Sequence, residues 1–451
     1  MMEIDTLLNI SPIDGRYKNI TCDISKYFSE YAYIKYRIIV ELEWFKYLLK
    51  DEKIINYNGS LDKLNEIVEE FNLDECKRVK EIEKTTNHDV KAIEYYIREK
   101  ISKTEFNKYS SFVHFACTSE DINNLAYNFM IRDCMSNVII KCMEELILDV
   151  SNKAKQLRDV PMLAHTHGQV ATTTTVGKEL AVFVYRWNNI LNKIKNIKLK
   201  GKFSGAVGNY SAHCIAYNID WIQFTKNFVE SLGFEYNPLV TQIESHDIIC
   251  ELFSYIKLFN NITLDFNLDM WMYISMNYFK QKTIKTETGS SVMPHKVNPI
   301  NHENSMGNIH MANAIVDNFT NNLQVSRMQR DLSDSSNLRN IGVMLSHSLI
   351  SMKQTIIAFS KMEVNIFVLN KDIENNPEVL AEAIQTVLRK NGFNDAYEKL
   401  KEFTRGKIIT LDEIKEFILN LDINIEDKNI LLNLSPKDYT GLSSKLVDYM
   451  F

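Results

Sequence analysis

The chain has 451 residues, of which 45% are hydrophobic and 24% charged, and a formal charge of −6. That length supports a large core and two or three domains, while acidic and basic residues spread along the whole chain leave no basic stripe to neutralise a phosphate backbone, which argues against a nucleic-acid partner. Seven cysteines, an odd number with no C-x-x-C pair, read as buried thiols in a reducing compartment and argue against a disulfide framework or structural zinc.

Near the start, Glu3 and Asp5 stand where a signal peptide carries positive charge, and nowhere do about twenty apolar residues follow one another. The expectation is a cytoplasmic protein with no membrane span. "SPIDGRY" (11–17) sets an Arg16–Tyr17 pair after a Pro/Gly turn, where Tyr17 could stack on a base or pack on a neighbour. Shorter helices and polar loops such as "NYNGS" fill the rest of an N-terminal block, 1–117. Within it, "TTNHDVKAIEYYI" (85–97) puts Asn87 just before the periodic Val90, Ile93 and Ile97, which reads as a helix start. "CTSEDINNLAYNFM" (117–130) reads likewise, with Thr118 or Ser119 as cap and Asp121 in the first turn. Helix N-termini suit carboxylate or phosphate, although capping alone also accounts for both segments.

A second block, 118–361, holds the long helices. "AHTHGQVATTTT" (164–175) carries two histidines, and His165 or His167 fits an acid or base role because an imidazole exchanges its proton near neutral pH. A hydrogen-bonded structural histidine is the competing reading, and no Cys or carboxylate lies beside the pair to favour a metal. Over 178–200, Leu180, Phe183, Val184, Trp187, Leu191 and Ile194 recur at helical spacing. "GKFSGAVGNYSAH" (201–213) suits a tight hairpin or loop. The stretch 247–279 is apolar nearly all round, so it must be buried on nearly all sides; subunits packed together satisfy this, as does the centre of a monomeric bundle. Stretches without proline or glycine, 308–341 and 343–376, predict further long helices.

Between two such runs lies "TETGSSVMPHKVNP" (286–299). Gly289 frees the backbone, Ser290 and Ser291 supply hydroxyls and amides, and Pro294 and Pro299 interrupt regular structure on either side of Lys296. Such a loop can fold over a ligand and present amides and an ammonium to an anion, or it can simply link helices. "RMQRDLSDSSNLRN" (327–340) interleaves Arg327, Arg330 and Arg339 with Ser333, Ser335 and Ser336, which suits a phosphate grip or a solvated charged helix end. The final block, 362–451, returns to short helices, and its last eighty or so residues carry little recognisable signal. Asparagine is abundant throughout, which reads as compositional bias.

Taken together, "SPIDGRY", "TTNHD" (85–89), "TSEDINN" (118–124), "HTHGQ" (165–169), "GAVGNY" (205–210), "TQIESHD" (241–247), "GSSVMPHKVNPINHENSMGN" (289–308) and "RDLSDSSNLRN" (330–340) resemble the adenylosuccinate lyases, a branch of the fumarase/aspartase superfamily. The resemblance implies an all-α, three-domain fold whose central long-helix bundle forms a shared homotetramer core, with active sites built from several subunits. It implies β-elimination of fumarate from adenylosuccinate to give AMP, and in many members the same reaction on the succinylated carboxamide ribotide (SAICAR to AICAR). By the family pattern Ser290 is the base and His167 the general acid. Lys296, Asn298, Asn304 and Gln242 match positions holding the succinyl carboxylates or the base ring; Arg16, Arg330, Ser335 and Arg339 would meet the phosphate, with Tyr17 near the nucleotide. Asn87, His88, Asp89, Thr118, Ser119 and Ser291 match further binding positions. No metal, flavin or nicotinamide is implied, and no glycine-rich dinucleotide fingerprint occurs. Two departures stand out: Val170 and Ser245 occupy positions where relatives often carry proline, which bears on loop stiffness and not on a reacting group. Fumarase and argininosuccinate lyase act on substrates with no phosphate for Arg330 and Arg339, and a catalytically silent lens-type relative would not need Ser290, Lys296 and His167 together.

Overall fold

The computed structural model describes residues 6–282, 293, 295–406 and 409–450. Helix accounts for 67% of the chain, so the all-α expectation holds. Two compact units are formed: Met1–Met143 with Ile190–Asn261 and Met306–Lys353, and Glu144–Asn189 with Ile262–Ser305 and Gln354–Phe451.

In the first unit the helix Glu30–Lys50 starts where the Ser29 hydroxyl accepts from the Ala32 amide (3.1 Å). Ile34, Ile38, Leu42, Phe45 and Leu49 recur every three or four residues and bury against Ile93, Tyr96 and Ile97 of the helix Asp89–Ile101. Trp44 lies off that stripe and is buried too, 4.3 Å from the ring of Phe203 and 5.0 Å from that of Phe228. A helix buried on two faces leaves few places for polar side chains, and Arg37 and Glu41 are nevertheless among its most buried residues. Glu41 pairs with His114 (2.6 Å), and Arg37 belongs to the site.

In the second unit Trp187 and Phe183 of the helix Val176–Asn196 meet Phe266. A separate cluster of Leu380, Ile384, Leu388, Leu400, Ile414, Ile418 and Leu431 gathers the short C-terminal helices.

The helices predicted over 178–200 and 247–279 appear as Val176–Asn196 and Asp247–Ser275. Leu258, Leu268, Trp271 and Met272 of the latter are exposed on the single chain. The two stretches free of proline and glycine are not single helices. The first ends at Asn322 and resumes only at Ser333. In the second, the helix Ile341–Ser360 gives way to the strand Met362–Val364, which pairs antiparallel with Phe279–Gln281. Tertiary strand pairing interrupts a helix without help from a breaking residue. Residues 201–213 form a loop and a short helix, Ser211–Ala216, as the hairpin-or-loop reading allows; Lys200–Gly201 pairs in parallel with Glu235–Tyr236.

An antiparallel hairpin, Pro161–Thr166 with Gln169–Thr175, went unread in the sequence. Its signal was present, since four consecutive β-branched threonines favour a strand over a helix.

Candidate active site

Arg16, Tyr17, Asn87, His88, Asp89, Thr118, Ser119, Gln242, Arg330, Ser335 and Arg339 belong to the first unit; His167, Lys296, Asn298 and Asn304 belong to the second. Ser290 and Ser291 lie outside the described residues.

His167 occupies the tip of the hairpin. Thr166 pairs with Gln169, so His167 and Gly168 alone make the turn, with φ of 54° and 73°. Two central residues at positive φ define the primed turn whose twist matches that of its strands. Histidine is among the residue types that tolerate this conformation, and the exposed tip carries the imidazole away from the backbone ladder. His165, two residues earlier, points elsewhere: its ring lies 6.1 Å from that of Tyr278. Lys296 is exposed, its amide donating to the Met293 carbonyl (3.0 Å). Pro299 directly precedes the helix Ile300–Asn322, and Asn304 falls in its opening turns.

Asn87 departs from its expected role. It is the left-handed residue (φ 49°) that closes the helix Leu73–Thr86, and His88 caps the next helix, with Nδ1 accepting from the Lys91 amide (3.2 Å). An asparagine accepts the left-handed conformation at a helix end, so one residue terminates a helix and its neighbour starts another. The Thr118 expectation holds: the helix Ser119–Cys134 begins after it, and Asp121 Oδ2 accepts from the Thr118 amide (2.8 Å).

Three of the first-unit candidates, Asp89, Arg330 and Arg339, share one charged network. Arg339 donates to Glu30 (2.8 Å) and stands 3.7 Å from Asp89, which pairs with Arg37 (2.8 Å). Arg37 Nε donates to Asn123 (2.8 Å), Asn123 to Glu120 (2.6 Å), and Arg330 joins Glu120 (3.1 Å) to Asp334 (2.6 Å), which faces His246 Nε2 at 3.3 Å. Tyr33 lies between the two arginines, its ring 3.7 Å from the Arg37 guanidinium and 5.4 Å from that of Arg339. Burial pushes the Asp89 and Asp334 carboxyls up; Arg37 and the Val90 amide outweigh it for Asp89, His246 and Arg330 for Asp334, so both are held below the ordinary carboxylate range. These bonds use two of the five guanidinium N–H groups of Arg330, so it can serve the network and still offer donors to an anion.

Ser335 sits in the short helix Ser333–Leu338, its amide donating to Asp334 (2.7 Å). Arg16 is exposed, with its guanidinium 5.9 Å from the Tyr17 ring. Nearby, a cleft of about 380 Å³ opens between the segment from Asn9 to Ser29 and the residues Arg339 to Ser346, within the size range of small-molecule sites. Gln242 is held twice: its amide donates to the Gln329 carbonyl (3.3 Å) and its Nε2 to the Ala206 carbonyl (2.8 Å).

Sequence reasoning missed Arg37, Glu120, Asp334 and His246. For Arg37 a signal existed, a charged residue inside the apolar "YIKYRIIVELEWF"; Glu120, His246 and Asp334 stand inside the motifs "TSEDINN", "TQIESHD" and "RDLSDSSNLRN", and their long-range partners single them out.

Residues 15–315 match the lyase family model, and residues 326–440 match the model for the adenylosuccinate lyase C-terminal region. The second match covers most of the last eighty or so residues, where the sequence shows little recognisable signal. A fumarate lyase from Mesorhizobium sp. BNC1 has the same fold (TM-score 0.75, 14% identity, 95% of this chain and 97% of that one). So does a 3-carboxy-cis,cis-muconate lactonizing enzyme from Pseudomonas putida (TM-score 0.72, 17% identity, 95% and 96%). Curated relatives include the adenylosuccinate lyases of Legionella pneumophila strain Corby, 48% identical over 452 residues, and of Escherichia coli K12, 45% identical over 453, each alignment covering 99% of both chains. The chain belongs to the adenylosuccinate lyase family of carbon–nitrogen lyases. Among the described residues no helix is long and apolar enough to cross a membrane.

Proposed function

We propose that this chain removes fumarate from adenylosuccinate to leave AMP. The observation that carries this reading is similarity of 45–48% identity to adenylosuccinate lyases along essentially the whole chain. In the proposed reaction Ser290 takes the proton from the carbon beside a succinyl carboxylate. The electron pair left behind spreads onto that carboxylate, giving it a second negative charge, and then expels the purine nitrogen as the carbon–nitrogen bond breaks. His167 gives that nitrogen its proton. Serine is a weak base in water, so the step requires amides and the Lys296 ammonium near the anion and solvent kept out. The exposed imidazole on a two-residue turn suits a group that must reach a ligand.

Arg16, Arg330, Ser335 and Arg339 are assigned to the phosphate and Tyr17 to the nucleotide. Asn87, His88, Asp89, Thr118, Ser119, Gln242, Ser291, Lys296, Asn298 and Asn304 are assigned to the rest of the substrate. We further propose a homotetramer with shared active sites, supported by the exposed apolar residues of Asp247–Ser275, and domains at 1–117, 118–361 and 362–451. Release of fumarate from adenylosuccinate, followed by absorbance, tests the activity; turnover of argininosuccinate instead, or of neither, overturns it. Sedimentation velocity tests the tetramer, and a monomer at micromolar concentration would refute it.

A further inference from the structure

We infer that Asp121 is a positioning residue that fixes Thr118 and Ser119 on one side and Gln242 on the other in a single geometry. Asp121 is fully buried, and its carboxylate is held at four points: the Thr118 amide (2.8 Å), the Ser204 amide (2.9 Å), the Gly205 amide (3.1 Å) and the Lys202 ammonium (2.8 Å). Lys202 is as buried as its partner and meets it as an ion pair without a hydrogen bond among the described residues, so loss of the carboxylate would leave a buried charge uncompensated.

The rest of the helix continues the attachment. Asn124 binds the Lys202 amide (2.9 Å) and carbonyl (3.1 Å), and Asn128 the Lys200 carbonyl (2.8 Å). Positions 121, 124 and 128 share one helical face, so the segment 200–205 is fastened along the helix and delivered, at Gly205, into a loop. That loop reaches Gln242. The Ala206 carbonyl takes the Gln242 side-chain amide, and Gly208 (φ +77°) presses so close to the backbone of Val240 and Thr241 that a Cβ would stand 2.3 Å from the Val240 carbonyl oxygen. From Gln242 the path returns: its amide binds Gln329, the next residue Arg330 binds Glu120, and Glu120 adjoins Asp121.

The circuit is closed, through 118–121, 204–208, 240–242 and 329–330, and every link lies in one compact unit. An acidic residue in the first turn of a helix is ordinary capping; one that also holds a distant loop by two amides and an ammonium sets the separation of two elements. The catalytic consequence rests on the assignment of Thr118, Ser119 and Gln242 to substrate.

Two variants probe opposite ends. Asp121→Asn removes an acceptor and leaves Lys202 unpaired; Gly208→Ala leaves Asp121 intact and pushes the loop away from Val240 and Gln242. Gly208→Ala should raise KM for adenylosuccinate about tenfold to a hundredfold, as expected for misplacing a hydrogen bond to a charged group, with kcat changed less than about threefold. Added to Gln242→Ala, the same substitution should change KM by less than about twofold, because the two act through one contact. A folded Gly208→Ala variant with wild-type KM, or an effect undiminished beside Gln242→Ala, overturns the inference. Amide hydrogen exchange reads the circuit without activity: Asp121→Asn should speed exchange at Ser204, Gly205 and Gln242 together, and unchanged Gln242 exchange refutes the linkage. If Asp121→Asn does not fold, Asp121→Glu, which keeps the charge for Lys202 and displaces the carboxylate from the Ser204 and Gly205 amides, is read by the same exchange measurement, and unchanged Gln242 exchange there refutes the linkage. Should the wild type release no fumarate, the proposed activity fails, and exchange alone then settles whether the circuit exists.

Discussion

The hairpin tip gives a prediction whose size follows from its geometry. His167 and Gly168 both have positive φ, and a Cβ built on Gly168 would meet nothing within 4 Å. Gly168→Ala therefore carries no steric clash, only the cost of holding an L-residue in the left-handed region, about 1–2 kcal/mol. The tip is exposed and joined to the rest by two strands, so that cost shifts the turn's population while leaving the core packed. A penalty of this size lowers the ratio of native to alternative turn about fivefold to thirtyfold. Since His167 is proposed to deliver the proton to the leaving nitrogen, kcat at saturating adenylosuccinate should fall by up to that factor, with the thermal midpoint nearly unchanged. Asparagine tolerates the left-handed conformation far better than alanine, so Gly168→Asn should recover kcat to within about threefold of wild type, the residual tenths of a kcal/mol being small. Fumarate absorbance at fixed enzyme concentration measures all three proteins. Equal impairment in the Asn and Ala variants, or a Gly168→Ala loss far above thirtyfold, would refute the claim that turn conformation presents the acid.

Ser290→Ala is expected to abolish turnover while substrate binding by calorimetry stays within a few-fold, and His167→Ala to lower the rate by about 10²–10⁴; near-normal rates would move the base elsewhere, or the acid role to His88 or His165. Arg330→Met leaves Glu120 with the Asn123 amide, and Asp334 with the Ser335 amide and His246, in place of a guanidinium, so thermal or chemical unfolding should show a loss approaching the 3–5 kcal/mol typical of a broken buried pair. Because Asp334 is held below the ordinary carboxylate range, its stabilisation is present above its unfolded pKa near 4 and disappears as pH falls through the lower folded value. The gap between wild type and Arg330→Met should accordingly narrow below pH 4, and a gap that widens in acid would contradict the network. His302 is buried, with Nδ1 2.7 Å from Asn267 Oδ1 and Nε2 without a partner among the described residues, and burial pushes its pKa down to about 4. Such an imidazole gains a proton only on unfolding, so stability should drop between about pH 6.5 and pH 4 by on the order of 3 kcal/mol. His302→Gln should flatten that decline in thermal midpoint, whereas an unchanged slope would show that other groups cause it.

Several elements of the fold and site were legible in one dimension because their causes are local. A 3.6-residue apolar period marks Val176–Asn196 and Asp247–Ser275 whatever they pack against, and Thr118 with Asp121 announces a helix start through bonds three residues apart. The motifs 11–17, 165–169 and 289–308 likewise pointed to the family, since their unusual residue types are adjacent in sequence. Breaks at 323–332 and 361–365 were not legible: no breaking residue marks them, and the second exists because Met362–Val364 finds Phe279–Gln281 some eighty residues away.

The same distinction separates the candidate residues from their setting. Arg330 and Arg339 could be nominated from composition, but that one is balanced by Glu120 and Asp334, and the other by Glu30 with Asp89 close by, depends on which helices meet. Asp121 looked like a cap and nothing more until the Ser204 and Gly205 amides and the Lys202 ammonium converged on it. Periodicity, capping and family motifs are properties of neighbours along the chain, and the sequence alone determined them. Charge compensation, buried pairing and the spacing of one binding element from another depend on partners tens to hundreds of residues apart, and only the tertiary structure decided those.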